Sequence, residues 1–351
     1  ISFINLNGSD EKPESLLIGL YLSLSPCLAL TTLPSFISIA GIIFMMKKIL
    51  IYEYITGGGL IGKKFDHSLL SEANLIIDSL ISKTDSIVNF FCDYRYKYKN
   101  NKNAILITAN NHDTIYDTDM INSYDYFIPI CPESDLILYN YIKEINPYVD
   151  NMKISSPKTI LVTSDKLLLK DICNRFNILH ADSYISKSKQ PLYIIKDRFG
   201  CGCNNVRVTS NKNLKIQANR IIEKYIPGDS YSVNLYISDT GYEILTINQQ
   251  IINRYNNVLK LDAINVNIYP YFRNSLFKFI EEILVAVPGL KGFIGFDLIY
   301  NKEDLFLIDI NPRYTTSMSA ISKCKDRHIL DYINISKNEQ TGSSCEIKLQ
   351  V

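Results

Sequence analysis

Two predicted strands near the end of the chain carry the residues best suited to chemistry. They are FIGFDLIY (residues 293–300 of the strand GFIGFDLIY) and LFLIDI, which runs on into NPRYTTS. Asp309 and Asn311 stand two apart, so their side chains leave one face of the strand, while Ile308 and Ile310 leave the other toward a core. Asp297, on the preceding strand, is close enough in a hairpin to join them. Three oxygen donors on two rigid strands suit Mg2+, which keeps several waters and fills its shell with phosphate oxygens. Pro312 ends the strand and leaves Arg313 where a guanidinium can grip a phosphoryl group in transit.

Three earlier pieces complement that set. In YIIKDRFGCGCNNVRV, Lys196 ends an apolar strand, and Gly200 and Gly202 permit a tight turn whose N–H groups form an anion nest. An ammonium beside such a nest neutralises triphosphate charge as a compact point charge. Cys201 and Cys203 read as small fillers there. Lys166 opens a helix in SDKL, where the dipole disfavours a cation unless an anion compensates. In IIEKYIPGDSYSV, Glu223, Lys224, Tyr225 and Ile226 form a hinge stopped by Pro227-Gly228. Its extended backbone offers a donor and an acceptor to an adenine edge, Tyr225 and Ile226 add apolar contact, and Asp229 or Ser230 is placed for ribose hydroxyls. Each piece alone has a plain reading: a solvated acid, a surface lysine, a helix-to-strand connection. Their order in one chain argues for a common site.

The elements that must position these groups divide the chain. Residues 46–155 read as an α/β unit with a parallel sheet, from the strand KKILIYEYI, the helix HSLLSEANLIIDSLIS and the short strands AILIT and YFIPI. Pro132-Glu133-Ser134-Asp135 opens a further helix, with acids in its first turn. Thr56-Gly57-Gly58-Gly59 meets no nucleotide fingerprint and reads as a flexible turn that lets another molecule approach the backbone. Residues 156–330 read as α+β: helices Ser164–Phe176, Leu214–Glu223 and Leu276–Val287, with strands at 192–195, 233–237, 242–247, 292–300 and 305–310. Residues 331–351 form a tail without a chemical signal.

The chain has 351 residues, 46% of them apolar, and a net charge of +1, so a large core is available and no field is built for nucleic acid. Its eight cysteines are scattered, as suits a reducing cytoplasm. From Ser15 to Met46 there is no charge, a run longer than the roughly 20 apolar residues that span a bilayer. The run reads as an upstream extension irrelevant to catalysis, with Met45-Met46-Lys47-Lys48 leading straight into a strand; the alternative is a membrane anchor with the main chain cytoplasmic.

The ordered set of lysine, lysine before a glycine loop, hinge and Asp…Asp-x-Asn resembles the ATP-grasp superfamily. The resemblance implies an ATP-grasp fold behind a Rossmann-like (pre-ATP-grasp) domain. It implies ATP phosphates on Lys166 and Lys196 beside Gly200 and Gly202, and adenine on Glu223, Tyr225 and Ile226. It further implies Mg2+, or Mn2+, on Asp297, Asp309 and Asn311, with Arg313 and Lys196 in the catalytic step. The family usually has glutamate where Asp309 stands. YEYITGGG, PESD, SSPK…SDK and NPRYTTS together are similar to the tyramine–glutamate ligase group, which implies ATP-dependent joining of the γ-carboxylate of glutamate, through an acyl phosphate, to tyramine or a similar amine in methanofuran-type cofactor biosynthesis. Another ATP-grasp amino-acid or peptide ligase is the nearest alternative, and a non-catalytic nucleotide-binding module is the alternative of a different class. ADP release separates the last from the others.

Overall fold

The computed structural model describes residues 46–348 except 66, 187–189, 204, 212, 326 and 335–343; the uncharged run ahead of Met46 lies outside the described residues. Residues Lys47–Val351 make one compact unit. No helix among the described residues is long and apolar enough to cross a membrane.

The first layer is a parallel four-stranded sheet of β1 (Lys48–Glu53), β2 (Ile87–Asp93), β3 (Ala104–Ile107) and β4 (Tyr126–Ile130), in the order β3-β2-β1-β4. Its central strands are apolar on both faces, as strands covered on both sides must be. Ile49 and Ile51 face α1 (His67–Leu80), meeting Ile76, Ile77 and Leu80. Leu50 and Tyr52 face the other way, past α2 (Thr118–Asn122), toward Leu138, Tyr141 and Ile142 of α3 (Ile137–Ile145). The triple glycine follows β1, and the neighbours crowding it belong to the chain itself. A Cβ at Gly57 would lie 2.5 Å from the Glu53 carbonyl oxygen, and one at Gly59 only 2.2 Å from the Tyr54 ring. Arg95 holds the same loop by donating to the Leu60 and Lys63 carbonyls. The chain's own contacts thus hold this turn, and internal packing is enough to require glycine at 57 and 59.

The second layer is a nine-stranded sheet ordered β12-β11-β8-β9-β10-β6-β5-β7, with β13 also paired to β10. Two short helices, α4 (Pro157–Ser164) and α5 (Lys166–Phe176), lead into it. The strands are β5 (Tyr193–Asp197), β6 (Arg207–Thr209), β7 (Arg220–Lys224), β8 (Asp229–Ser238), β9 (Gly241–Tyr255), β10 (Val258–Val266), β11 (Gly292–Tyr300), β12 (Leu305–Asn311) and β13 (Cys345–Lys348). Every described pairing between these strands is antiparallel. The expected helix Leu214–Glu223 is absent. Its end is instead β7, whose Ile221 and Ile222 pair with Lys196 and Ile195 of β5. β-branched residues fit that half-buried pleat, and the partner strand decides the outcome over local pattern.

α6 (Arg273–Ala286) covers one face of the large sheet, burying Leu276, Phe279, Ile280 and Ile283 against Leu235, Ile294 and Phe296. α7 (Ile321–Cys324) and the turn Ile329–Asn334 return to the first layer, where Ile329 and Leu330 pack with Ile49 and Phe90. The residues read as a tail contribute to that core through Tyr332 and Ile333 and to the large sheet through β13.

Candidate active site

β11 and β12 pair so that Asp297 stands opposite Asp309 and Gly295 opposite Asn311. Between the pairs Asp297–Asp309 and Leu298–Leu307 the register shifts, leaving Ile308 as an extra residue. Such a bulge breaks the period of two and re-aims the side chains beyond it. Leu307 and Ile310 both enter the main core, whereas Ile308 packs toward Ala181, Ile226 and Phe306. The expectation that Ile308 and Ile310 share the core face is therefore corrected, while Asp309 and Asn311 still leave the opposite face together.

The carboxylates are held from both sides. Asn311 Nδ2 donates to Asp297 Oδ2 at 3.0 Å, and Gln250 Nε2 of β9 donates to Asp297 Oδ1 at 2.8 Å. Burial, and next the neighbouring Asp309 carboxylate, push the Asp297 carboxyl up to about 6. Lys166 Nζ meets Asp309 Oδ2 at 2.8 Å and donates to the Gly200 carbonyl at 2.7 Å. Burial works against the Lys166 charge, but Asp309 outweighs it and the ammonium is held above its ordinary range.

Lys166 is delivered there by α5, whose N-cap is Asp165: its Oδ1 accepts from Leu167 N at 3.0 Å. Arg198 clamps the same carboxylate through two bonds, of 2.7 and 2.6 Å. That clamp joins the helix to the glycine loop. Gly202 sits at φ +63°, where a side chain would be strained, and Gly200 directs its carbonyl, not an N–H, at Lys166. Lys196 is buried at the end of β5 and pairs with Glu223 Oε2 of β7 at 2.6 Å. Glu223 is thus a partner of the second lysine as well as a hinge residue. The Tyr225 N–H donates to the Leu192 carbonyl at 3.0 Å, so this hinge amide is taken up by the sheet. Ile226 is buried beside Ile308. A small recess, open to solvent, is lined by Lys166, Cys173, His180, Glu223, Leu307 and Ile308. Asp229 is exposed and Ser230 half-buried at the start of β8, outside that lining.

The first layer supplies acids that the sequence reading did not assign to chemistry. Glu133 caps the 3-10 turn Ser134–Leu136 that leads into α3, its carbonyl accepting from the Leu136 N–H at 3.0 Å, as PESD suggested. It is buried, and Arg313 donates to it through Nε at 3.0 Å and through a terminal nitrogen at 2.8 Å. Burial opposes the Arg313 charge, but Glu133 more than compensates and holds it above the ordinary range. Ser134 and Cys201 approach at 3.5 Å, bringing the glycine loop against this layer. Glu72 of α1 accepts from Thr316 Oγ1 at 3.0 Å. Only the position of Glu133 in PESD was a usable signal; Glu72 lies in a stretch that read as plain helix, and Gln250 beyond the strand read at 242–247, which the structure extends to Tyr255.

Among the described residues no three His, Cys, Asp or Glu side chains converge as a metal site. The donor set is instead two carboxylates and one amide. All are hard oxygen donors, and the upward push on Asp297 beside Asp309 marks a place short of positive charge. This fits a hard divalent cation such as Mg2+.

Residues 163–317 match the family model of the ATP-grasp domain. A tyramine–L-glutamate ligase of Methanocaldococcus fervens is 28% identical over 285 residues, covering 78% of this chain and 89% of that protein. An ATP-grasp superfamily protein from Archaeoglobus fulgidus superposes with a TM-score of 0.65 at 22% identity, over 82% of this chain and 87% of that one. An N5-carboxyaminoimidazole synthetase from Staphylococcus aureus, complexed with ADP, gives a TM-score of 0.58 at 16% identity, over 85% and 79%.

Proposed function

We infer that this chain, an enzyme built on an ATP-grasp domain, is an ATP-dependent ligase that joins a small carboxylate to a small amine through an acyl phosphate. The observation that carries the reading is the convergence of Lys166, Asp297, Asp309 and Asn311 at the β11–β12 end, with Glu133 and Glu223, the partners of Arg313 and Lys196, both acting on the Lys166 charge. A binding module for nucleotide alone needs no such grip on a phosphoryl group in transit.

In this reading Lys166 and Lys196 bind phosphate oxygens of ATP, trading carboxylate partners for phosphate. Asp297, Asp309 and Asn311 would hold Mg2+, which supplies charge neutralisation between phosphate groups. Arg313, kept rigid and charged by Glu133, faces the phosphoryl group as it passes to the carboxylate of the acid substrate. The glycine loop, drawn down by Lys166 and Arg198, excludes water from the acyl phosphate. The amine then displaces phosphate and leaves an amide. The proposed acid is glutamate, activated at its γ-carboxyl, and the proposed amine is tyramine. Support for the pair comes from the M. fervens relative together with TGGG, SDK and NPRYTTS in this chain.

The test is to supply the purified protein with ATP, Mg2+, glutamate and tyramine, and to identify nucleotide and product by mass spectrometry. ADP and a γ-amide are expected. AMP would mean adenylation and would overturn the mechanism; ADP only with some other acid or amine would keep the mechanism and replace the substrates.

A further inference from the structure

We propose that Glu72 binds the ammonium group of the incoming amine and takes its first proton. This rests on the ligase reading above and assigns the nucleophile's side of the same site. α1 lies along the segment that follows β12. Ser79 Oγ and the Tyr314 hydroxyl meet at 2.9 Å, and one stripe further along the same helix Thr316 Oγ1 donates to Glu72 Oε2 at 3.0 Å. Residues 72 and 79 are two turns apart, so one helix face makes both contacts. Glu72 therefore stands at the segment that leaves β12, three residues past Arg313.

Its charge reaches into the shared space. Arg313 is influenced by Glu72, and the Cys203 thiol of the glycine loop is influenced by both Asp297 and Glu72. The half-buried Glu72 differs from the other acids around it in how its oxygens are used. Glu133 is paired with Arg313, Asp309 with Lys166, Glu223 with Lys196 and Asp165 with Arg198. Asp297 and Glu53 have no such cation, but each accepts a hydrogen bond on both of its oxygens. Among the described residues no lysine or arginine forms an ion pair with Glu72; the hydroxyl of Thr316 fixes one oxygen and leaves the other for a donor. A carboxylate next to the phosphoryl-gripping arginine, held in place but not neutralised by a basic side chain, is matched to a cation that arrives with the substrate. The amine is that cation at neutral pH.

The chemistry balances. The ammonium gives one proton to the Glu72 carboxylate, and the freed nitrogen pair bonds to the acyl carbon. The bond from that carbon to the phosphate oxygen breaks, its electrons leave with phosphate, and phosphate takes the amine's second proton.

Glu72→Gln in the full chain tests this with two nucleophiles, tyramine and hydroxylamine, each with ATP, Mg2+ and glutamate. Hydroxylamine is uncharged at neutral pH and traps acyl phosphates as hydroxamate. The variant is expected to lose about tenfold or more in kcat/KM for tyramine while hydroxamate formation and the KM for ATP stay within about threefold. Glu72→Asp, which keeps the charge, is expected to recover part of the tyramine activity. Equal loss with both nucleophiles would overturn the proposal, because Glu72 would then serve phosphoryl transfer or the fold. A raised KM for glutamate with either nucleophile would overturn it by moving the contact to the acid, and unchanged tyramine kinetics would remove it outright. Hydroxamate and ADP from the unmodified protein report separately on the ligase reading itself.

Discussion

Lys196 and Glu223 are each about nine-tenths buried and touch at 2.6 Å, an arrangement whose desolvation consumes most of what the contact returns. In the proposed function its value is in placing an ammonium at the nucleotide rather than in stability. Removing one partner is another matter, since it strands a buried charge. Lys196→Ala is expected to cut turnover by about 10²-fold or more and also to lower stability by about 3–5 kcal/mol in urea denaturation. The double change Lys196→Met with Glu223→Gln is expected to regain most of the stability and none of the activity. If the double variant turned over like the wild type, Lys196 would have no part in the chemistry. At this scale the sequence made legible that Lys166, Asp297, Asp309 and Asn311 lie together, because two of them share a strand face and a third sits on its hairpin partner. The partner of Arg313 was hidden, because Glu133 lies 180 positions from it and only the fold brings them together.

At the scale of elements, α5 is the part whose start is most closely tied to function. Asp165 caps it and receives Arg198, so one carboxylate fixes both the helix that carries Lys166 and the loop that Lys166 touches. Burial works against its charge, but the Arg198 guanidinium wins and holds the Asp165 carboxyl below the usual carboxylate range. The folded value is thus lower than the unfolded one. The stabilisation is fully present above the ordinary carboxylate pKa of about 3.9 and is lost as pH falls through the depressed folded value. Asp165→Asn keeps a competent cap but not the ion pair. Urea denaturation is expected to show it less stable than the wild type at pH 6–7, as an approximate working range, with the gap closing below about pH 4. A gap independent of pH would rule out the ion pair as its source. The boundaries of β4 and β11 were readable to the residue, because short apolar runs between turn signals leave little choice. β7 was not, since its strand character comes from β5 beside it, and nothing local announces the bulge at Ile308.

Over the whole molecule, the first layer and the large sheet are joined by contacts that no local pattern contains. Ile329 and Leu330 return to the core under β1, and β13 closes on β10. The division into a parallel α/β layer and an antiparallel one was legible from the spacing of strands and helices; the return of the last residues was not, for they carry too few apolar positions to reveal a destination. The large sheet has one narrow seam. β6 meets β10 through the pair Arg207–Val258, with Val208 N–H bonded to the Asn257 carbonyl at 2.8 Å and Leu259 N–H to the Val206 carbonyl at 2.9 Å. β11, by contrast, is paired along its whole length with β8. Hydrogen bonds so few can part without unfolding the rest, so the amides of Val208 and Leu259 should exchange with solvent deuterium through a local opening far faster than that of Phe296. ATP with Mg2+, bound beneath the glycine loop, is expected to slow those two amides selectively. Exchange at Val208 no faster than at Phe296 in the absence of nucleotide would mean that the nine strands open only as one body, and that nucleotide must enter and leave without parting this seam.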